Sequence, residues 1–319
     1  MRKIKAHNLM EASVKKEASS FNINKVLVAL SGGADSIAVT HLLKEAKLDL
    51  IALHCNFHLR GEESNRDMKF VEEFCERFQI PLMIKEFDVP EYQDRHKGCS
   101  LEMACRNLRY EWFEEKLKET GFQRIATGHN ADDNIETFFL NILRGSGTRG
   151  LKGMMKDSGM IWRPVLDYHR SEILEYLKES NLDYITDSTN LQNDFRRNYL
   201  RNEIIPLLRK EWKGFNAALQ KTISNLVSEN KVVESSLDSI LSQNSDCLPV
   251  EEILKYPAPL LLVKRFIDPL GPFSTTPEEV IEAIKADKPH IRKWRLKKGF
   301  LILRNKKLFI EMGHGKSCS

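Results

Sequence analysis

Short apolar runs alternate with longer amphipathic segments over the first two thirds of the chain. Nearly continuous apolar runs are typical of strands buried on both faces, and apolar residues three or four positions apart are typical of helices packed by one face. The predicted strands lie at residues 26–30, 48–55, 81–87 and 124–128. The predicted helices lie at residues 37–43, 62–78, 101–117 and 132–143. This alternation predicts an α/β fold with a parallel twisted sheet covered by helices on both faces.

The pattern changes after residue 144. A glycine-rich segment at 144–153 comes first, and Pro206 is placed to kink one of the helices that follow. Those helices are predicted at residues 171–180, 194–209 and 215–242. Three short strand-like runs lie within residues 290–312. We therefore expect a domain boundary near residue 212, with a first domain at 1–212 and a smaller, mainly helical domain at 213–319.

Bulk composition narrows the class of protein. The chain has 319 residues, is 41% hydrophobic and carries a formal net charge of +4. Its longest apolar runs are shorter than a membrane span, and the basic N-terminus lacks the apolar core of a signal peptide. The six cysteines, at positions 55, 75, 99, 105, 247 and 318, form no C-x-x-C pair. We expect reduced thiols in a cytoplasmic protein with no membrane association.

Basic residues are concentrated in two places, residues 194–202 and 290–298. Such runs are usually solvated faces of helices or strands, and they also form the phosphate contacts of nucleic-acid-binding proteins. Charge alone leaves both interpretations open.

The hexapeptide Ser31-Gly32-Gly33-Ala34-Asp35-Ser36 lies between a predicted strand and a predicted helix. A glycine turn that leads into a helix N-terminus makes an anion cradle, because backbone N–H groups and the helix dipole face the same point. Asp35, in the first helical turn, is placed to hold a magnesium ion. The spacing matches neither a Walker A loop nor a dinucleotide fingerprint. A Gly-Gly turn that merely caps a helix is the alternative interpretation.

The complete S-G-G-x-D-S pattern resembles the PP-loop of ATP pyrophosphatases, whose fold is adenine nucleotide α-hydrolase-like. The resemblance implies that ATP is cleaved between its α- and β-phosphates and that an oxygen of a second substrate is adenylated.

Two further groups of residues carry chemistry. His129, Asp133 and Glu136 share one face of a helix that begins at the carboxyl edge of the sheet, where ligands bind. They could bind a metal, orient an ammonium group, act as acid and base, or form a solvated first turn. Arg106 and Arg109 follow Glu102 on another helix face, where either a surface ion pair or a phosphate clamp fits.

Taken together, these segments resemble the tRNA(Ile)-lysidine synthetases, a family of PP-loop enzymes. The resemblance covers about residues 23–210, and the last third of the chain matches poorly. The segments that carry it are residues 26–36, 54–61, 102–110, 127–137, 144–153, 163–166, 187–190 and 197–206.

The resemblance implies a two-step reaction. ATP adenylates O2 of the wobble cytidine of tRNA(Ile) with a CAU anticodon, and the ε-amine of free L-lysine then attacks C2 and displaces AMP. The residues implied as catalytic are Asp35, Arg109, His129, Asp133, Glu136 and Arg201. The residues implied in nucleotide binding are Ala29, Ser31, Gly32, Gly33, Asp35, Ser36, His54 and Asn56, with Mg²⁺ held by Asp35.

Within that scheme Arg109 and Arg201 stabilise phosphate or adenylate charge, and Asp133 and Glu136 hold lysine. The proton of the attacking amine passes to His129 or to one of the carboxylates, which the residues do not distinguish. The resemblance also implies a homodimer and a tRNA-binding role for the C-terminal domain.

Three alternatives remain. Cytidine thiolases of the PP-loop group carry C-x-x-C pairs, and amidotransferases need a nucleophilic cysteine in a glutaminase segment; neither feature is evident in this sequence. A non-catalytic nucleotide- or RNA-binding module is the third.

Overall fold

A computed structural model describes residues 6–186, 196–244, 247–271, 277–286 and 291–313. The chain divides into two compact units, Met1–Ile223 and Ser224–Ser319. The division falls after the predicted boundary at residue 212, which stays a prediction. The segment at 187–190, one of those that carry the resemblance, lies outside the described residues.

The first unit is built on a parallel sheet of five strands in the order β3-β2-β1-β4-β5. The strands are β1 (Lys25–Ala29), β2 (Asp49–Asn56), β3 (Leu82–Glu86), β4 (Arg124–Ala126) and β5 (Ile161–Trp162). Val26, Leu27 and Val28 are fully buried, as expected for a central strand covered on both faces. The α/β fold with a parallel sheet predicted from the sequence is confirmed.

Helices cover both faces of this sheet. They are α1 (Ala6–Ser20), α2 (Ala34–Glu45), α3 (Glu62–Arg77), α4 (Val89–Arg95), α5 (Leu101–Thr120), α6 (Ala131–Leu143), α7 (Thr148–Leu151) and α8 (Arg170–Glu179). Residues of α1, α2 and α8 form one apolar core with the sheet, and residues of α5 pack on the opposite face. Ser100 caps the start of α5, because its side chain accepts a hydrogen bond from the backbone N–H of Met103.

The predicted helix over 194–209 has a different backbone from a simple kinked α-helix. Its described part comprises α9 (Arg196–Tyr199), a π-helical turn at Leu200–Ile204 and α10 (Ile205–Glu211). The backbone N–H of Ile205 donates to the carbonyl of Leu200, five residues earlier. Pro206 has no N–H for the α-helical bond to residue 202, so the widened turn precedes it. A long helix, α11 (Phe215–Gln243), follows and contains the division between the units.

The second unit combines short helices with a four-stranded antiparallel sheet. Its helices after α11 are α12 (Val250–Lys255), α13 (Pro259–Ile267) and α14 (Pro277–Lys285). Its strands are β6 (Cys247–Pro249), β7 (Arg292–Leu296), β8 (Gly299–Arg304) and β9 (Lys307–Met312), in the order β6-β9-β8-β7. The three predicted strand-like runs are therefore confirmed. Within the described residues, the helices are all too short or too polar to cross a bilayer.

Candidate active site

The candidate site lies where the strand order of the parallel sheet reverses. From β1 the chain adds β2 and β3 on one side, and β4 pairs with β1 on the other. The loops after two adjacent strands diverge at such a switch point and leave a crevice at the carboxyl edge. The hexapeptide follows β1 there and residues 127–130 follow β4. A cavity of about 1190 Å³ opens between them.

The hexapeptide forms a tight loop stabilised by its own side chains. The Ser31 backbone N–H donates to Ser36 Oγ at 3.2 Å, and Ser36 Oγ donates to the Gly33 carbonyl at 2.9 Å. Gly33 is the N-cap of α2 and brings no side chain of its own, so the first-turn N–H groups of α2 receive no side-chain cap from this position. These N–H groups are therefore suited to phosphate oxygens, and the hydroxyls of Ser31 and Ser36 can donate to phosphate only by rotating away from their contacts within the loop.

Gly32 has a backbone conformation that other residues rarely adopt. Its φ is +86°, and a Cβ at this position would lie 2.5 Å from Cδ1 of Ile185. The backbone N–H of Ile185 donates to the Gly32 carbonyl at 2.9 Å, which ties the loop to the segment after α8.

We expect Gly32→Ala to lower the free energy of unfolding by roughly 1–3 kcal/mol, because alanine is strained at positive φ. Chemical denaturation of the full chain measures this change in the free energy of unfolding. Gly147→Ala is the matched control, since Gly147 has a φ of −75° and a Cβ added there would meet no atom within 4 Å. Equal stabilities of the two variants would contradict the prediction.

Asp35 lies in the first turn of α2 with both carboxylate oxygens bonded. Asn130 Nδ2 donates to Asp35 Oδ1 at 3.1 Å, and Arg170 Nη1 donates to Oδ2 at 2.5 Å. Burial raises the pKa of Asp35, and the Arg170 charge only partly offsets this. Gly128 packs closely behind, because a Cβ there would lie 2.9 Å from the Asp35 carbonyl carbon.

Asp133 and Glu136 form the centre of an ion-pair network with two arginines. Arg201 Nε donates to Glu136 Oε1 at 2.6 Å and Arg197 Nε donates to Oε2 at 2.7 Å. Nη2 of both arginines donates to Asp133 Oδ1, at 3.2 Å from Arg197 and 3.1 Å from Arg201. Glu136 is only 1% exposed, so its charge is held by these paired guanidinium groups.

Asp132 has different partners although it neighbours Asp133 on α6. Its oxygens contact Nδ1 of His169 at 3.0 Å, the backbone N–H of Arg170 at 2.8 Å, and the guanidinium of Arg209. Burial alone would raise the pKa of Asp132, but these hydrogen bonds and the Arg209 charge hold it well below its usual range. Asp132 therefore fastens α8 and α10 to the start of α6.

His129 lies between β4 and α6, with its Nδ1 2.8 Å from Oγ1 of Thr127. Burial lowers the pKa of His129 to about 4, and the charges of Arg163, Arg197, Arg106 and Arg109 add to this effect. The imidazole is therefore neutral at pH 7 and is a weak base in the substrate-free protein.

We expect the stability of the protein to depend on pH through His129. Its folded-state pKa is depressed, so the unfolded chain binds more protons between pH 4 and pH 6.5 and stability rises with pH over that window. The contribution is present above pH 6.5 and is lost as pH falls toward 4; its full size is about 3 kcal/mol. Urea denaturation gives the free energy of unfolding at pH 4.5 and at pH 7.5. The difference between these two values should be smaller for His129→Gln than for His96→Gln, a control substitution at an exposed histidine. Equal differences in the two variants would refute the prediction.

Arg109 reaches the cavity from α5. Its guanidinium carbon lies 5.4 Å from the centre of the Phe57 ring, a cation–π distance that holds the arginine in place. Burial raises the pKa of the neighbouring Cys55 thiol to about 12 although Arg109 opposes it, so this thiol is protonated and unreactive at neutral pH.

The structure brings most predicted site residues together around the cavity, and three of them are not part of its lining. Those that line the cavity are Ala29, Ser31, Gly33, Asp35, Ser36, Arg109, His129, Asp133, Glu136 and Arg201. Gly32, His54 and Asn56 are not among the lining residues. His54 Nδ1 donates to the Leu30 carbonyl at 2.9 Å, and Asn56 Oδ1 accepts from the backbone N–H of His58 at 3.0 Å. The predicted nucleotide contacts of these residues stay predictions.

Sequence reasoning missed Asn130, Arg170 and Arg197 as site residues. Arg170 carries a local signal, because a cation in the first turn of a helix opposes the dipole and needs a nearby anion. Arg197 belongs to the basic run interpreted as a candidate RNA contact. The structure directs it, with Arg201 and Arg209, toward the acids of α6.

The site fits a magnesium ion that arrives with a nucleotide. Within the described part of the chain, His, Cys, Asp and Glu side chains form no cluster of three that would bind a metal unaided. Magnesium in ATP sites is held by one or two carboxylates together with the phosphates, which Asp35 beside the loop can supply. Arg170 would then have to release Asp35 Oδ2.

Comparisons with known proteins agree on the class. The chain matches the PP-loop domain family over residues 5–208. It is 39% identical to the tRNA(Ile)-lysidine synthase of Bacteroides thetaiotaomicron over 262 residues, and the match covers 81% of this chain and 61% of that protein. It is 35% identical to the tRNA(Ile)-lysidine synthase of Chlorobaculum tepidum over 232 residues, covering 72% of this chain and 69% of that protein.

A solved structure also shares the fold. The U34-tRNA thiolase NcsA from Methanococcus maripaludis, with its 4Fe-4S cluster, superposes with a TM-score of 0.56 at 21% identity and covers 69% of this chain and 78% of that one. The chain thus spans only part of the length of these proteins, 61% in the case of the Bacteroides relative.

Proposed function

The chain belongs to the tRNA(Ile)-lysidine synthase family, and from that premise we propose that it ligates free L-lysine to a tRNA. The acceptor is C2 of the wobble cytidine of tRNA(Ile) with a CAU anticodon, and ATP is converted to AMP and pyrophosphate. One observation supports this function above the others. The phosphate-binding loop and the paired carboxylates Asp133 and Glu136 line the same cavity, so an activated base and a cationic amine can meet there.

The first step is adenylation of the cytidine. The loop N–H groups and the hydroxyls of Ser31 and Ser36 hold the phosphates, and O2 of the base attacks the α-phosphorus while pyrophosphate leaves. Mg²⁺ on Asp35 would offset the charge of the leaving pyrophosphate. Arg109, which also lines the cavity, is placed to stabilise phosphate charge.

The second step is attack by lysine. A ring oxygen is a poor leaving group and AMP is a good one, so adenylation makes C2 reactive. The bond between C2 and the lysine nitrogen forms as the bond between C2 and O2 breaks. Asp133 and Glu136 are suited to bind the ammonium groups of lysine, and Arg201 reaches the same carboxylates from the helix opposite.

Attack also requires that the ε-amine lose a proton, since its pKa in water is near 10.4. The low pKa of His129 makes it a weaker candidate for this role than an ordinary histidine. The wobble base must be splayed into the cavity, which costs little in an anticodon loop because its bases are only partly stacked.

Mass spectrometry of the tRNA product tests the function directly. The full chain is incubated with tRNA(Ile) bearing a CAU anticodon, ATP and isotopically labelled L-lysine. We expect a mass increase on the wobble cytidine equal to lysine minus water, carrying the label, and equimolar AMP. Pyrophosphate release with no transfer of label would contradict the choice of lysine.

A basic edge strand in the second unit supports a proposal for tRNA binding. Arg292, Lys293 and Arg295 are exposed on β7, which lies at the edge of its sheet. Lys293 also pairs with Glu311 at 3.0 Å. We propose that this strand contacts tRNA phosphates.

Charge reversal of Arg292, Lys293 and Arg295 together is expected to weaken tRNA binding and flatten its dependence on salt, because fewer counterions are released. Filter binding at several salt concentrations measures both effects. Charge reversal of Lys15, Lys16 and Lys47, exposed in the first unit, changes the net charge equally and is the control. Unchanged affinity and slope in the β7 variant would exclude the strand.

A further inference from the structure

The carboxylates that should receive lysine are fully engaged in the substrate-free protein. Glu136 Oε2 accepts from both arginines, at 2.7 Å from Arg197 Nε and 2.9 Å from Arg201 Nη2, and Oε1 accepts from Arg201. Asp133 Oδ1 accepts from both guanidinium groups, and its Oδ2 accepts from the Asn130 backbone N–H at 3.1 Å. All four oxygens therefore already have donors.

An incoming cation must compete with the arginines for these carboxylates, because the charges are already balanced. Two carboxylates face two guanidinium groups, and Glu136 is 1% exposed, so a third cation placed beside it would be uncompensated. An incoming ammonium group preserves neutrality only by taking the place of an arginine. Lysine binding at these acids thus requires one guanidinium to withdraw.

The two arginines are not equivalent. Arg201 donates three hydrogen bonds to the acid pair, two of them to Glu136 in a fork. Arg197 donates two, one to each carboxylate, and its side chain is 40% exposed. Arg201 is exposed to nearly the same extent, 37%, so the number of hydrogen bonds distinguishes the two, and Arg197 loses fewer on leaving.

We propose that Arg197 occupies, in the substrate-free protein, the position that an ammonium group of lysine takes during the reaction, and that lysine binds by exchange with it. The inference rests on the proposed function and adds a residue that sets the affinity and selectivity of its amine site. Arg201 keeps its fork on Glu136 throughout the exchange. Arg197 is a positioning residue, because it holds both carboxylates in place until lysine arrives.

The exchange predicts an effect opposite in sign to that of an ordinary binding residue. A competing internal group reduces the apparent affinity of a ligand, so its removal should tighten binding. We expect Arg197→Gln to lower the Kd of L-lysine at least fivefold, measured by isothermal titration calorimetry on the full chain with tRNA and a non-hydrolysable ATP analogue. The vacated position also accepts a guanidinium, so free L-arginine should compete with lysine more strongly in the variant.

Arg95→Gln is the matched control, since Arg95 pairs with Glu91 on α4 outside the cavity lining. It should leave the lysine Kd within twofold of the unsubstituted protein. A lysine Kd that is unchanged or higher in folded Arg197→Gln would overturn the proposal.

If Arg197→Gln fails to fold, Arg197→Lys is the deciding variant, because an ammonium group cannot form the paired contacts of a guanidinium group and competes less well with lysine. A Kd lowered at least twofold supports the exchange, and an unchanged one overturns it.

The proposed function is tested separately by label transfer in the unsubstituted protein. If that protein modifies tRNA and Arg197→Gln does not bind lysine more tightly, the exchange alone is wrong. If it transfers no lysine, the proposed function fails and the exchange fails with it.

Discussion

Asp35→Ala is expected to abolish ATP-dependent release of pyrophosphate, with a loss of at least 100-fold in rate. Asp35 is the carboxylate in the loop that faces the cavity, and its oxygens now bond Asn130 and Arg170. A divalent cation contributes several kcal/mol of charge stabilisation in such reactions, and each 1.4 kcal/mol or so is a tenfold change in rate. Without Asp35 that contribution is lost, and Arg170 is left without its carboxylate.

The measurement is pyrophosphate release with saturating tRNA and ATP, with and without lysine. Asp49→Ala is the control, because Asp49 is an exposed aspartate at the start of β2 whose contact with Lys25 is 3.9 Å long. Circular dichroism should show the same fold for both variants. Pyrophosphate release at the normal rate in Asp35→Ala would disprove the role of this carboxylate.

Asp133→Ala is expected to raise the KM for lysine at least tenfold and to leave adenylation nearly intact. The substitution removes one of the two charges that face the amine, and a charge-assisted hydrogen bond is typically worth about 1.5–3 kcal/mol. Adenylation proceeds at the phosphate-binding loop, which does not use this side chain in the proposed reaction. The effect should therefore appear in lysine-dependent AMP release and not in pyrophosphate release.

Two further variants separate charge from structure at this position. Asp133→Asn keeps an oxygen that can accept from the Asn130 backbone N–H, so helix α6 remains capped while the charge is lost. It should raise the KM for lysine as Asp133→Ala does. Asp132→Asn removes a charge one residue earlier, where the partners are His169 and Arg209, and should change the KM for lysine by less than twofold. An unchanged KM in both Asp133 variants would exclude Asp133 from the amine site.

The parts of the site that the sequence could predict are local. A strand, a glycine turn and a helix occupy adjacent residues, so the position of Asp35 follows from the chain itself. His129, Asp133 and Glu136 are close because helical spacing places them together.

Helix α1 was not predicted, because its buried face carries only a sparse set of apolar residues, with Met10, Val14 and Ala18 buried. Strand β5 is two residues long and offers no period at all.

The parts that the sequence could not predict are long-range pairings. Arg170 meets Asp35 from 135 positions away, and Arg197 meets Glu136 from 61 positions away. No spacing rule links such residues, and a basic run has the same composition whether it faces RNA or carboxylates. The tertiary fold therefore supplied the main correction, in which three arginines of the predicted helix at 194–209 are directed at the acids of α6.

The π-helical turn before Pro206 has a consequence for the direction in which these arginines point. Arg201 and Arg209 are eight positions apart, which on an uninterrupted α-helix would place them about 80° apart around the axis. The bond from Ile205 to Leu200 accommodates one extra residue, so the effective separation becomes seven residues and the angle falls to about 20°. Both side chains consequently face α6, where Arg201 contacts Glu136 and Arg209 contacts Asp132. One extra residue in this turn thus sets the direction in which the arginines point. That direction determines which carboxylates are paired with an arginine of the same chain.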